Sequence, residues 1–133
     1  MRIVFDTNVI VAGLVSQGLC HEVLETHVPA HTPILSPTLW DELVLSLRDK
    51  FGLAAGDLPL LGLYRRHAAW VVPPPLDTPT CRDPDDDWVL AAAVPGEAEA
   101  IVTGDGDLLT LGTFRGVAIL SPRQFIERLA AQG

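Results

Sequence analysis

Carboxylates are the side chains of this sequence best placed to do chemistry, because they are crowded into one stretch. Residues 83–107 hold eight of the chain's seventeen acidic residues. Carboxylates held close together repel one another, so at neutral pH they take up protons, with raised pKa values, or surround a cation. A site made only of carboxylates suits Mg²⁺ or Mn²⁺ better than zinc, which prefers His and Cys. One or two such ions would favour phosphodiester hydrolysis, because they neutralise phosphate charge and lower the pKa of the water bound to them.

Two acidic clusters in this stretch flank a predicted helix and a predicted strand. The run DPDDD, which ends at Asp87, precedes an apolar helix, and GDGD, which contains Asp105, follows a buried strand at 100–103. Each cluster alone is more often structural than functional, since Asp stabilises helix N-termini and Asp-Gly is common in turns. Asp83 and Asp107 are further acids that could extend the group.

Two more acids lie earlier in the chain. Asp6 directly follows the first apolar run, and functional groups of open α/β sheets collect at the carboxyl ends of strands. Helix capping by Asp6 or Asn8 is the structural alternative. Glu42 lies at the border of the apolar stripe of a helix predicted from residue 37 to about residue 50, where it could line a cleft. Its neighbour Asp41 fits that spacing equally well.

The elements that must position these acids alternate along the chain. Strands are predicted near residues 2–5, 33–35, 70–72, 100–103 and 117–120. Helices connect them, and the last helix has a capping box in which Ser121 is the N-cap and Gln124 the N3 residue. This alternation predicts an α/β fold, a three-layer α/β/α sandwich with a central, mainly parallel sheet of about five strands. We expect residues 1–133 to form a single domain.

Composition narrows the choice of protein class. The formal charge is −8 and 48% of the residues are apolar, as in a globular chain with a substantial core. Asp6 interrupts the apolar N-terminus and no stretch is long enough to span a bilayer, so we expect no membrane association and a cytoplasmic location. Cys20, Cys81 and the four His residues lack the spacing of a zinc site or a disulfide framework. Eight of the nine basic residues are Arg, whose planar fork suits phosphate.

Three motifs in this order resemble those of the PIN domain family. They are FDTNVIVAGL at the start, RDPDDDWVLAAAV, and IVTGDGDLL, together with an acid on the middle helix. The similarity is greatest to bacterial PIN proteins of the VapC-like type, the toxin components of toxin–antitoxin systems. The resemblance implies a PIN-like fold and four residues that are both catalytic and metal-binding, namely Asp6, Glu42, Asp87 and Asp105. It also implies that Asn8 and Thr103 orient the ligand carboxylates.

The function implied by the resemblance is that of an endoribonuclease dependent on one or two Mg²⁺ or Mn²⁺ ions, with RNA as substrate, a cognate antitoxin as partner and a homodimeric state. Two other functions stay open. A phosphatase of the haloacid dehalogenase type also begins with a strand and an acidic loop, but it needs a second Asp where this chain has Asn8. A catalytically silent PIN scaffold that binds RNA or protein would explain the low basicity of the chain.

Overall fold

The computed structural model describes residues 1–132 and contains one six-stranded sheet. The strands are β1 (Arg2–Phe5), β2 (Thr32–Leu35), β3 (Ala69–Trp70), β4 (Ala100–Val102), β5 (Thr113–Phe114) and β6 (Val117–Leu120). Their order across the sheet is β3-β2-β1-β4-β6-β5. All neighbouring pairs are parallel except β5 and β6. The predicted class, α/β with a mainly parallel central sheet, is therefore confirmed, with one strand more than expected.

Within residues 1–132, seven α-helices surround the sheet. They are α1 (Thr7–Val15), α2 (Leu19–Glu22), α3 (Pro37–Phe51), α4 (Pro59–His67), α5 (Pro84–Ala93), α6 (Gly106–Leu111) and α7 (Pro122–Gln132). The chain from Leu19 to His27 begins as α2 and continues as a π-helical turn over Val23–His27. A 3-10 turn over Val28–Ala30 follows. No helix within residues 1–132 is both long and apolar enough to cross a membrane.

The predicted element boundaries are mostly confirmed, and the differences have local causes. The strand predicted at 70–72 ends at Trp70, although the Val71 amide still donates to the Leu35 carbonyl at 2.9 Å. The prolines that follow have no N–H with which to continue pairing. The capping box is confirmed: the Gln124 amide donates to Ser121 Oγ at 3.1 Å, and the Ser121 amide donates to Gln124 Oε1 at 2.9 Å.

The strand order creates a topological switch point between β1 and β4. The chain moves from β1 outward through β2 to β3, and then crosses back to β4 and continues to β6. Because crossover connections are right-handed, this reversal puts α5 on the opposite face of the sheet from the helices between β1 and β3. A crevice opens at the carboxyl ends of the two central strands, which is where open α/β sheets bind ligands.

Helix α5 is seated against the sheet by a close backbone approach at its C-terminal end. It packs across β1, β2 and β4, and its residues Leu90 and Ala93 are fully buried. Just beyond the helix, a Cβ atom added to Gly96 would lie 2.5 Å from Ile34 Cγ2 and 2.8 Å from the Ala92 carbonyl oxygen. Only glycine fits this position without moving its neighbours.

Candidate active site

Asp6 lies at the switch point, held by a hydrogen-bonded chain. It follows β1, its side chain is only 4% exposed, and its amide donates to the Val102 carbonyl of β4 at 2.9 Å. Thr103 Oγ1 donates to Asp6 Oδ2 at 2.7 Å and accepts the Asp105 amide at 3.0 Å. The buried Thr103 hydroxyl thus fixes one acid by its side chain and the next by its backbone.

Burial raises the pKa of the Asp6 carboxyl above its ordinary value. The Thr103 hydroxyl and the backbone N–H of Asn8 act in the opposite direction, because both donate to the carboxylate. The Asn8 side chain is exposed, so in this structure its contribution to Asp6 comes from the main chain. That the Asn8 side chain orients Asp6, as the resemblance implied, stays a prediction, because the hydrogen bond from Asn8 comes from its backbone N–H.

Asp86 and Asp105 are two acids of the site that share a side-chain hydrogen bond. Burial, a hydrogen bond shared with Asp105 and the charges of Asp105 and Asp6 raise the pKa of Asp86 to about 8. The same hydrogen bond from Asp86, with the Asp107 amide, lowers the pKa of Asp105. Two adjoining carboxylates repel each other when both are ionised, which favours the protonated form of Asp86. Asp105 Oδ1 also accepts the Asp107 amide at 2.9 Å, which caps α6.

Asp87, the third acid implied by the family resemblance, has different partners. Its carboxylate accepts the Cys81 amide at 2.8 Å and the Thr80 amide at 3.3 Å, and so holds the loop before α5. Consecutive helical residues point about 100° apart, so the two neighbouring acids face different directions. The structure brings Asp86, and not Asp87, to Asp6 and Asp105. Asp86 was not among the site residues expected from the sequence.

Glu42 belongs to the same group of charges. Burial raises the pKa of the Glu42 carboxyl, and the charges of Asp6 and Asp85 raise it further. Thr7 Oγ1 donates to Glu42 Oε2 at a long 3.4 Å. The neighbouring Asp41 is exposed, whereas Glu42 is partly buried. Glu42 and Asp41 also line a groove of about 480 Å³ beside the acids, between the start of α1, α3 and the start of α5.

The two acids that were expected to extend the group have structural partners. Asp83 is the N-cap of α5, and its Oδ1 accepts the Asp85 amide at 3.0 Å. Its charge still contributes to the raised pKa values of Asp86 and Glu42. Asp107 Oδ1 accepts a hydrogen bond from Arg82 Nη2 at 2.8 Å in an exposed ion pair. Both acids therefore lie at the rim of the site.

The chemistry of the donors suits a hard divalent cation, since all are carboxylates and no Cys or His takes part. The spacing of these carboxylates is less specific for a metal ion than their chemistry is. Within residues 1–132, no three His, Cys, Asp or Glu side chains lie close enough together to hold a metal ion as they stand. The acids are close enough to share a proton and to raise one another's pKa, so a bound cation would require small movements of these side chains.

The fold and the site place this chain among known proteins. A family model described as PIN domain matches residues 2–107, and the chain belongs to that family. PIN domains are generally nucleases, which agrees with a carboxylate site at the switch point of the sheet. A comparison with curated proteins found no match.

Proposed function

We propose that this chain is a metal-dependent endoribonuclease that hydrolyses RNA phosphodiesters at Asp6, Glu42, Asp86 and Asp105. One observation carries the proposal: in a PIN domain, four carboxylates interact by charge at the carboxyl ends of β1 and β4. Crowding of like charges costs stability, and a protein keeps such a group where a cation or a reaction makes use of it. Asp86 takes the place in the group that the resemblance gave to Asp87.

The metal would be Mg²⁺ or Mn²⁺, one or two ions, held by Asp6, Asp86 and Asp105 with Glu42 at the side. When bound, such an ion neutralises phosphate charge and acidifies water. The protein's own contribution is positioning: Thr103 fixes the Asp6 carboxylate, and the cap of α6 fixes Asp105. The proton shared by Asp86 and Asp105 has to leave when a cation binds, so binding of the metal should strengthen as pH rises.

A nuclease assay on single-stranded RNA tests the proposal. Cleavage should require Mg²⁺ or Mn²⁺, stop in excess chelator and be lost, by at least about 100-fold, in Asp6→Asn and Asp105→Asn. Each Asp→Asn substitution removes one ligand charge and preserves the volume of the side chain. At position 105, asparagine can also still cap α6. Cleavage that persists in chelator, or in Asp6→Asn, would refute the mechanism.

A matched pair of neighbours tests the assignment of the third acid. Asp86→Asn should abolish cleavage, because its carboxyl meets Asp105. Asp87→Asn should retain most of the activity, because an amide oxygen can still accept from Cys81 and Thr80. The opposite result, an inactive Asp87→Asn and an active Asp86→Asn, would restore the acid that the family resemblance implied.

The second candidate function is a silent PIN scaffold that binds RNA or protein. The absence, in the described chain, of three ligands within reach of one metal favours it. Calorimetric titration with Mn²⁺ separates the two candidates. A nuclease should bind the ion with an affinity that falls in Asp86→Asn, whereas a scaffold should bind none.

We further propose that the protein acts in the cytoplasm as the toxin of a toxin–antitoxin pair and that it forms a homodimer. The resemblance to VapC-like proteins supports the toxin role. Two large apolar side chains on α3 support the dimer, since Leu45 is 45% exposed and Phe51 is 47% exposed.

Induced expression of the parent chain should arrest growth, and expression of Asp6→Asn should not. Light scattering should give twice the 14.3 kDa mass of the chain, and a monomer would remove the dimer from the proposal.

A further inference from the structure

Two tryptophans and an arginine form a cluster at the edge of the sheet, outside the acidic site. The Arg65 guanidinium carbon lies 4.8 Å from the ring centroid of Trp40 and 5.6 Å from that of Trp70. The two indole rings are 6.3 Å apart in an edge-to-face arrangement. We call Trp40, Arg65 and Trp70 the tryptophan–arginine platform.

The platform leaves its binding groups available. Trp70 is 42% exposed, and Arg65 is exposed as well. Stacking on indole uses the face of the guanidinium, whereas its N–H donors lie in the plane and stay free. Among the described residues, no ion pair and no side-chain hydrogen bond uses Arg65 or the adjacent Arg66. Arg65 therefore lies beside the two indole rings and is at the same time exposed to solvent.

The surroundings of the platform are basic and apolar in a chain that is strongly acidic. A groove of about 660 Å³ runs between α3 and α4, with Trp40, Arg65 and Arg66 in its lining. No acidic side chain of the described chain is among the groove's lining residues, although the formal charge of the protein is −8. This local positive charge is complementary to a polyanion.

Trp70 of the platform lies at the same end of the parallel strands as the acids, the carboxyl end. Trp70 ends β3 and Asp6 follows β1, and these parallel strands are separated only by β2. Neighbouring strands are about 4.8 Å apart, so the two strand ends are about 10 Å from each other. A short single strand of nucleic acid spans that distance.

We propose that the tryptophan–arginine platform binds single-stranded RNA beside the site of cleavage. Arg65 and Arg66 would contact the phosphates, and an unpaired base would stack on the exposed indole of Trp70. The choice of RNA rests on the proposed function, but the platform is separate from the carboxylates. A base must be unstacked from a partner strand to reach the indole, so the platform should discriminate against duplex RNA.

The test is binding without cleavage. In the Asp6→Asn background with chelator, fluorescence anisotropy would follow a fluorescein-labelled single strand of about 12 nucleotides at low salt. Arg65→Gln and Trp70→Leu should each weaken binding about fivefold or more, and Arg65→Gln should reduce the slope of log K against log salt by about 0.7. Arg128→Gln on α7 makes the same charge change elsewhere and is the control. The parent should bind a duplex of the same sequence more weakly.

Equal affinity of the parent and Arg65→Gln would overturn the platform, as would equal losses in Arg65→Gln and Arg128→Gln. A groove that serves a protein partner would give the first of these results. Thermal melting of each variant shows whether it is folded, and the exposed Arg65 makes its variant safe in this respect. If the parent cleaves RNA but Arg65→Gln binds normally, the platform fails and the nuclease stands. If Arg65 matters for binding but nothing is cleaved, the nuclease fails and the platform stands.

Discussion

Asp86→Asn should stabilise the metal-free protein at alkaline pH, and Asp87→Asn should not. The pKa of Asp86 is raised to about 8 in the folded protein, while the ordinary value is 3.8. A raised pKa means that the folded state binds the proton more tightly than the unfolded chain does. The stabilisation is fully present below the ordinary value and is lost as pH rises through the folded value, between about pH 4 and pH 8. Asparagine cannot acquire the charge, and it can still donate a hydrogen bond to Asp105.

The expected magnitude follows from the exposure of the carboxyl. One pKa unit corresponds to about 1.4 kcal/mol. Asp86 is partly exposed at an open edge, so solvent and salt screen its repulsion from Asp105 and Asp6. We therefore expect a gain of roughly 1–2 kcal/mol in the free energy of unfolding at pH 9, which is a rise in Tm of about 3–8 °C for a chain of this size. At pH 4 the variant and the parent should melt together.

Thermal melting in chelator from pH 4 to pH 9 measures this difference directly. Asp87→Asn is the control, because it removes the same charge one residue away but weakens the acceptor of the Cys81 and Thr80 amides. It should melt at the parent's temperature or below. Adding Mn²⁺ should stabilise the parent more than Asp86→Asn, since the ion binds the native carboxylates. Identical pH profiles for the two variants would refute the placement of Asp86 in the cluster.

Three further changes test other parts of the site. Thr103→Val should lower kcat/KM by about 10–100-fold and the free energy of unfolding by about 1–3 kcal/mol, because the buried Asp6 carboxylate loses its hydroxyl partner. Thr103→Ser keeps the hydroxyl and should restore both quantities, as measured by nuclease and melting assays. Glu42→Gln should reduce cleavage at least about tenfold while Asp41→Asn leaves it unchanged, and the reverse would show that the wrong neighbour was chosen. Arg82→Gln removes a positive charge that lowers the pKa of Asp105, so the acidic limb of the pH–rate profile should move to higher pH, and an unmoved limb would contradict this role.

The strands and most helices follow from the sequence because their signals are local. Apolar runs of three residues, 3–5 and 100–102, are followed directly by Asp6 and Thr103, and the capping box at Ser121 fixes the start of α7. The sixth strand, Thr113–Phe114, has no such signal. It is two residues long and exists through its antiparallel pairing with β6, which is a tertiary interaction.

The sequence could not decide between Asp86 and Asp87 as the third acid, because the residues that follow them do not show which face of the helix points outward. Every residue from 88 to 94 is apolar, so no polar position marks the outer face. In the structure, Leu90 and Ala93 are fully buried while Val94 is 44% exposed. Asp86 shares a face with Leu90 and Ala93, and Asp87 shares one with Ala91 and Val94. The choice between the neighbouring acids is therefore made by how α5 rests on the sheet.

Because Gly96 determines how α5 packs on the sheet, it also influences the position of the Asp86 carboxylate, with which it has no contact. Gly96 lies ten positions after Asp86 and just beyond α5, and the helix from Asp86 to Ala93 is about 10 Å long. A methyl group at Gly96 would clash with Ile34 and tilt α5. The displacement would be largest at the N-terminal end of the helix, where Asp86 lies. Loss of activity in Gly96→Ala would then report a misaligned helix, and a genetic screen that scores only activity would count this glycine among the catalytic residues.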